Sequence, residues 1–330
     1  MDHLDQKQTS GTPRPAWLDK SILGLLFVVV CFTWGTTWLG IKVAVETVPP
    51  LSSAGLRFLI AFPLFVVFAR IMREPILFPT RSLGFGLLIT VFYFSVPYYL
   101  INFGEQYVSS GLTSLLFSSM PVFILIFSAL ILKEKIWASQ VLGIAIGFFS
   151  LYMILQAEGV RMDQNSWWGV AAILSAAIMH ALCYILTRKH GAQISVITFN
   201  TLPIGLAGLA LFACGLVIEQ PELGAASTRS WVALLYLGLV ASVGGFIVYF
   251  YLLKRMSPIL LSFVFILFPV VAIAIGAWYE GHGVSRDFIV FSVVMLLGFA
   301  VTKLPLEKLF SRSSSQLSKP SGATASRPQQ

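Results

Sequence analysis

The stretch RSLGFGLLITVFYFSVPYYLINFGEQYVSSGLTSLLFSSMPV, Arg81–Val122, has a counterpart 148 residues downstream, RSWVALLYLGLVASVGGFIVYFYLLKRMSPILLSFVFILFPV, Arg229–Val270. The two align without a gap. Nine of the 42 positions are identical: Arg81/Arg229, Ser82/Ser230, Leu87/Leu235, Ser109/Ser257, Leu112/Leu260, Ser114/Ser262, Phe117/Phe265, Pro121/Pro269 and Val122/Val270. Each copy holds one long apolar run opened by a basic residue and a second with a Ser-rich entry and a proline inside it. An α-helix needs about 20 apolar residues to cross the hydrocarbon of a bilayer. The pair therefore reads as two membrane helices, repeated.

Working outward, eight stretches of at least 21 residues contain no Asp, Glu, Lys or Arg: 21–41, 82–104, 106–132, 136–157, 164–187, 190–218, 230–253 and 256–279. Two shorter ones, 58–69 and 288–302, extend to Leu51 and Leu304 and each suffice for a crossing. This predicts an all-α integral membrane protein of ten transmembrane helices. A shift of 145 residues brings Gly24, opening the first helix, onto Gly169, opening the sixth. The halves are then residues 21–156 and 167–304, between an N-terminal tail, 1–20, and a C-terminal tail, 311–330. That last tail is rich in Ser, Pro and Gln, lacks an apolar pattern, and is expected to be disordered. Because five is odd, the second half enters the membrane from the opposite side. Two inverted five-helix repeats are a design of secondary transporters that alternate access to a midplane site.

Composition excludes the commonest alternatives. Of 330 residues 57% are hydrophobic and 11% charged, with a mean hydropathy of +0.85, whereas soluble domains are roughly a quarter charged. A water-soluble enzyme is ruled out. The net charge of +8 follows from topology: with the N-terminus inside, cytoplasmic segments hold 17 of the 22 Lys and Arg and outer loops hold three. That is the positive-inside pattern, and it explains the excess without nucleic acid. Both termini are thus expected in the cytoplasm of a multi-pass inner (cytoplasmic) membrane protein. Met1–Lys20 is polar, and no signal-type cleavage site follows the first apolar run, so that run reads as a retained helix. Cys31, Cys183 and Cys214 all fall in apolar stretches, which does not suit a disulfide framework.

Polar and aromatic residues at helical spacing mark candidate sites. Trp34, Trp38 and Lys42 recur every four residues beside Thr37, giving one face with an aromatic wall and a cation toward its outer end. That face suits a substrate with an apolar part and an anionic group; the alternative is packing, with Lys42 snorkelling to the interface. Arg57 lies about two turns inside the second helix, where a charge is costly unless paired. It reads either as an ion pair with Glu46 or Glu105 or as a seat for a substrate carboxylate. In the third helix Tyr98, Asn102 and Glu105 share a face, and Pro97, having no N–H, frees the carbonyl of Tyr93. In the sixth, His180 and Tyr184 are four apart. His180 is read as a proton carrier or substrate hydrogen-bonder, or else as a neutral imidazole on a neighbouring Ser or carbonyl. Ser110, Thr113, Ser114, Ser118 and Ser119 in the fourth helix, and Ser257 and Ser262 in the ninth, read as close helix packing. Pro121 and Pro269 read as kinks that hinge. Gly244-Gly245 precedes Phe246, Tyr249 and Phe250 in the eighth helix, with Tyr249 expected at the cavity. Glu134 and Glu280 are expected to pair with nearby cations.

No P-loop, H-E-x-x-H or G-x-S-x-G motif occurs, nor paired intramembrane aspartates or an Arg ladder. No motif requires a cofactor, and His3, His190 and His282 form no ligand cluster for a metal. An integral membrane enzyme or a non-transporting receptor is thereby disfavoured.

The Trp34-Gly35 pair, the early Arg57 and the stretch YVSSGLTSLLFSSMPVFILIFSALILKEKI, Tyr107–Ile136, with its Pro121 and closing Glu134, resemble the EamA-like family of the drug/metabolite transporter superfamily. The second copy, MSPILLSFVFILFPVVAIAIGAWYEGHGVS, repeats the pattern around Pro269 but departs from it: His282, not Glu280, stands opposite Glu134. The resemblance implies a carrier of amino acids, drugs, nucleotide-linked sugars or other metabolites. It also implies a cavity between the halves lined by the first, third, fourth, sixth, eighth and ninth helices, and export as the direction. The expected function is a secondary transporter of small amphipathic solutes, with an uptake permease as the alternative. Its partners are a small-molecule solute, membrane lipid and, through His180 or Glu105, protons. Uncoupled facilitation is the rival to proton coupling, and no residue pattern specifies an oligomeric state.

Overall fold

The computed structural model describes residues 16–108, 110–157, 167–279 and 285–301. The C-terminal tail 311–330, most of the N-terminal tail, Ser109, Glu280 and His282 lie outside them. Among the described residues there are ten helical segments and no strand: α1 Ala16–Val45, α2 Pro50–Ile71, α3 Thr80–Gly104, α4 110–132, α5 Ala138–Ala157, α6 Trp167–His190, α7 Val196–Ile218, α8 Thr228–Leu253, α9 258–279 and α10 Arg286–Val301. Helix α1 starts at Ala16, so residues 16–20 are helical rather than part of a tail.

Seven segments are long and apolar enough to cross a membrane: Asp19–Val45, Pro50–Ile71, Thr80–Gly104, Trp167–His190, Val196–Ile218, Thr228–Leu253 and Pro258–Gly276. The other three expected crossings are shorter or broken. Helix α4 is interrupted at Ser118–Ser119, α5 offers the shorter apolar helix Ala138–Ile154, and α10 has 16 residues. Leu25, Val217 and Trp278 are 65%, 76% and 79% exposed, while Arg57, Asn102, His180 and Asn200 are buried. Apolar outside and polar inside inverts the order of a water-soluble protein. The chain is a multi-pass helical membrane protein.

Side chains settle most of the helix starts. Ser195, Ser227 and Ser257 accept from the backbone N–H of Thr198, Ser230 and Leu260, so Ser257 is a cap and not only a small packing residue. Helix α2 is capped from a distance: Glu219, just past α7, accepts from the N–H groups of Leu51 (2.8 Å) and Ser52 (2.9 Å). A carboxylate suits the positive end of a helix. Glu134 accepts from the Ser128 hydroxyl and has no ion pair with a described cation, correcting the expectation of a cationic partner. The reason is local: a π turn, Ser128–Leu132, ends α4 and Lys133 turns left-handed, at φ 54°.

The expected proline kinks take a different form. In α4 the Ser114 and Ser118 hydroxyls bond back to the carbonyls of Gly111 and Ser114, both at 2.7 Å, and the helix breaks just before Pro121. Such back-bonding bends helices. Helix α9 runs on through Pro269 and is interrupted instead at Ser262–Phe263. Two further π turns, Thr90–Ser95 in α3 and Leu237–Gly244 in α8, occupy corresponding places in the two copies.

Helix α2 lies along α7 and α5 along α10; α1 packs on α8 and α9, and α6 on α3 and α4. Glycines set two of these approaches. A Cβ on Gly55 would stand 2.5 Å from the Phe212 backbone nitrogen, and one on Gly35 would stand 2.5 Å from Cβ of Val271. Without side chains at these points α2 meets α7, and α1 meets α9, at backbone distance.

Candidate functional site

At the centre of these contacts is a cavity lined by Trp34, Thr37, Trp38 and Ile41 from α1, Arg57 from α2, Tyr93, Tyr98 and Ile101 from α3, Phe117 and Met120 from α4, His180 from α6, and Phe265 and Phe268 from α9. Its volume, measured to the centres of water molecules, is about 50 Å³. This is room for several waters but little for a metabolite unless the surrounding helices part.

The walls are aromatic. Trp38 stacks on Phe268 at 5.4 Å and 29° and lies 5.4 Å from Phe117. Trp34 lies 4.5 Å from Tyr249 and 5.9 Å from Phe265. The indole N–H of Trp38 is buried without a hydrogen-bond partner. Thr37 donates to the Trp34 carbonyl at 2.6 Å, satisfying its hydroxyl within α1.

Arg57 brings the only cation among the described lining residues. It is 3% exposed; its Nε donates to the Ser242 hydroxyl at 2.8 Å, and its guanidinium carbon stands 5.0 Å over the Tyr98 ring. It pairs with no described carboxylate, which corrects the expected ion pair with Glu46 or Glu105. Glu46 is exposed, and buried Glu105 accepts from Ser110 at 3.4 Å and lies in the field of Lys42. The partner the fold supplies for Arg57 is Ser242 of α8, and neither acid.

His180 Nε2 lies 2.9 Å from the Tyr93 carbonyl, the group that Pro97 leaves without its helical donor. A carbonyl only accepts, so this nitrogen carries a proton and donates it. One turn along α6, Cys183 Sγ donates to the Phe92 carbonyl at 3.4 Å. The opened ladder of α3 is therefore closed by side chains of α6.

Of the thirteen residues singled out in the sequence, the structure brings six, Trp34, Thr37, Trp38, Arg57, Tyr98 and His180, to one cavity. Tyr249 and Tyr184 stand behind it, 5.5 Å apart, with Tyr249 against Trp34. Asn102 does not line it: its amide donates to the Tyr98 carbonyl (2.8 Å) and accepts from Ser53 (3.1 Å). Lys42 is exposed, and Glu105 is buried away from the lining. Pro121 and Pro269 adjoin the lining residues Met120 and Phe268. Sequence reasoning passed over Phe117, Phe265, Met120 and Phe268 as site residues. A signal was there: Phe117 and Phe265 are an identical pair of the repeat, and Met120 stands opposite Phe268 in the same register.

An aromatic-walled cavity holding one buried cation, inside a multi-pass helical protein, suits a membrane transporter. The model of the EamA-like transporter family matches residues 22–156 and 167–304, and the chain belongs to that family. It is 38% identical to Protein PagO of Salmonella typhimurium over 86% of this chain and 93% of that one. It is 37% identical to an uncharacterized transporter of Buchnera aphidicola, over 88% and 96% of the two chains. The uncharacterized inner membrane transporter YedA of Escherichia coli is 30% identical over 83% of this chain and 90% of its own. A solved crystal structure at 18% identity superposes with a TM-score of 0.73, covering 88% of this chain and 99% of that one, which speaks for the fold alone.

Proposed function

We propose that the chain is a secondary transporter of the inner membrane that exports small amphipathic metabolites, amino acids or compounds related to them, by alternating access. It is built as ten spans in two inverted five-helix repeats, 21–156 and 167–304, with both termini in the cytoplasm. The observation that carries this reading is that matching residues of the two copies line one cavity: Phe117 and Phe265, with ring centroids 6.0 Å apart, and Met120 and Phe268. The packing supports it too, since α1 with α8 and α9 mirrors α6 with α3 and α4. Two such bodies flanking one site, each able to tilt against the other, are what alternating access needs.

Counterflow in proteoliposomes tests the reading. Vesicles preloaded with single amino acids, or with amine-free carboxylates related to them, are given labelled tracer outside, with and without a pH gradient. Accelerated tracer entry with one preload is expected, and a gradient effect on net flux would assign proton coupling. Vesicles that exchange nothing, including solutes of a whole-cell extract, would overturn the transporter reading.

A further inference from the structure

Arg57 sets the charge of whatever the cavity holds. An arginine keeps its charge in a protein, and a charge at membrane depth is costly unless paired. Arg57 has one hydrogen bond, to a neutral hydroxyl, and a tyrosine face. Its remaining guanidinium donors have no carboxylate among the described residues. A second donor belongs to a lining residue: the indole N–H of Trp38, a side chain 5% exposed, is buried and has no partner. Among the described lining residues there is no Asp or Glu to receive an ammonium group. Apart from Thr37, His180 and the two tyrosines, the rest of the wall is apolar ring, aliphatic side chain and thioether.

We propose that the solute is an organic monocarboxylate anion with an apolar body, its carboxylate held by Arg57 and the Trp38 N–H and its body between the rings of α1, α4 and α9. This rests on the transporter reading above and narrows it to the amine-free relatives of amino acids, setting the amino acids themselves aside. A zwitterion or amine would place an ammonium beside the guanidinium with no acid to offset it, whereas an anion neutralises the site. A guanidinium also presents its N–H groups in a fork that matches carboxylate geometry.

The test uses the purified full chain in detergent and labelled phenylacetate as the probe. Phenylacetamide, phenethylamine and L-phenylalanine serve as competitors that keep the benzyl group and carry a neutral, cationic or zwitterionic group in place of the anion. Saturable binding is expected, displaced by phenylacetate and benzoate at least about tenfold more effectively than by the other three. Arg57→Gln should weaken it by about tenfold or more, Arg57→Lys by less, and Trp38→Phe, which keeps a ring but removes the donor, by several-fold. Arg57→Lys and Trp38→Phe keep the charge and the packing respectively, so the test survives if Arg57→Gln fails to fold. Absence of saturable binding overturns the proposal. Equal displacement by the amine or zwitterion, or binding unchanged in all the variants, does so as well. Vesicles that still exchange solutes of a cell extract while phenylacetate does not bind would retire the carboxylate assignment and leave the transporter reading standing.

Discussion

His180 shows what one residue owes to distant sequence. That it sits mid-membrane, and that Pro97 leaves the Tyr93 carbonyl bare, are both legible in the sequence; that they meet at 2.9 Å is not, because 87 residues separate them. With its Nε2 proton committed to a carbonyl and rings of Tyr93, Tyr98 and Phe117 within 5.5 Å, the imidazole is held in place as a donor. His180→Ala should lower stability by about 1–3 kcal/mol, from a buried carbonyl left unsatisfied, read as a lower melting temperature in detergent. It should leave the pH dependence of transport unaltered; a lost dependence would restore His180 as a proton carrier. Arg57 gives the converse lesson. Local sequence offers Glu46 and Glu105 as partners, but the fold supplies Ser242, 185 residues away. Ser242→Ala should leave the guanidinium less well oriented and weaken phenylacetate binding by a few-fold, about 0.5–1.5 kcal/mol for one hydrogen bond, without the loss expected for Arg57→Gln.

Helices were the most legible elements, because charge-free runs of this length have few other ways to satisfy their backbone in lipid. Their interruptions were not. A π turn displaces the register by one residue and leaves the apolar pattern almost intact, so nothing in Thr90–Ser95 or Leu237–Gly244 announced it. The break at Ser118–Ser119 had a signal in its clustered hydroxyls, while Pro269, the louder signal, lies in continuous helix. Helix contacts are set by glycines that composition alone does not rank. Gly55→Ala should force α2 off α7, where the new Cβ meets the backbone nitrogen of Phe212 at 2.5 Å, costing about 1–3 kcal/mol or more. Gly24→Ala, with nothing within 4 Å, should be near neutral. Equal melting temperatures for the two would show that this contact yields easily.

At the scale of the whole molecule, topology and cycle are open to measurement. Single cysteines at Gln6 and Ser318, in a chain with Cys31, Cys183 and Cys214 replaced by serine or alanine, should react with impermeant maleimide only from the cytoplasmic face. Opposite labelling of the two would exclude an even number of spans. The unpaired Arg57 also predicts kinetics. Reorienting an empty cavity moves a bare guanidinium through a change of surroundings, while a carboxylate-loaded one is neutralised. Exchange of phenylacetate should therefore exceed its net efflux by at least about tenfold, and equal rates would remove the charge penalty from the cycle.

The hydrogen bonds between helices carry one more consequence. Tyr93 and Phe92 of α3 are tied to His180 and Cys183 of α6, and Val43 of α1, with Thr47 in the turn after it, is tied to Ser230 of α8. In both cases the bond joins a helix of one copy to a helix of the other. The seam along which the sequence was doubled is thus not the seam along which the molecule would part. On the inverted-repeat reading proposed above, a single copy would own neither body whole, and each body would borrow its first helix from the other half.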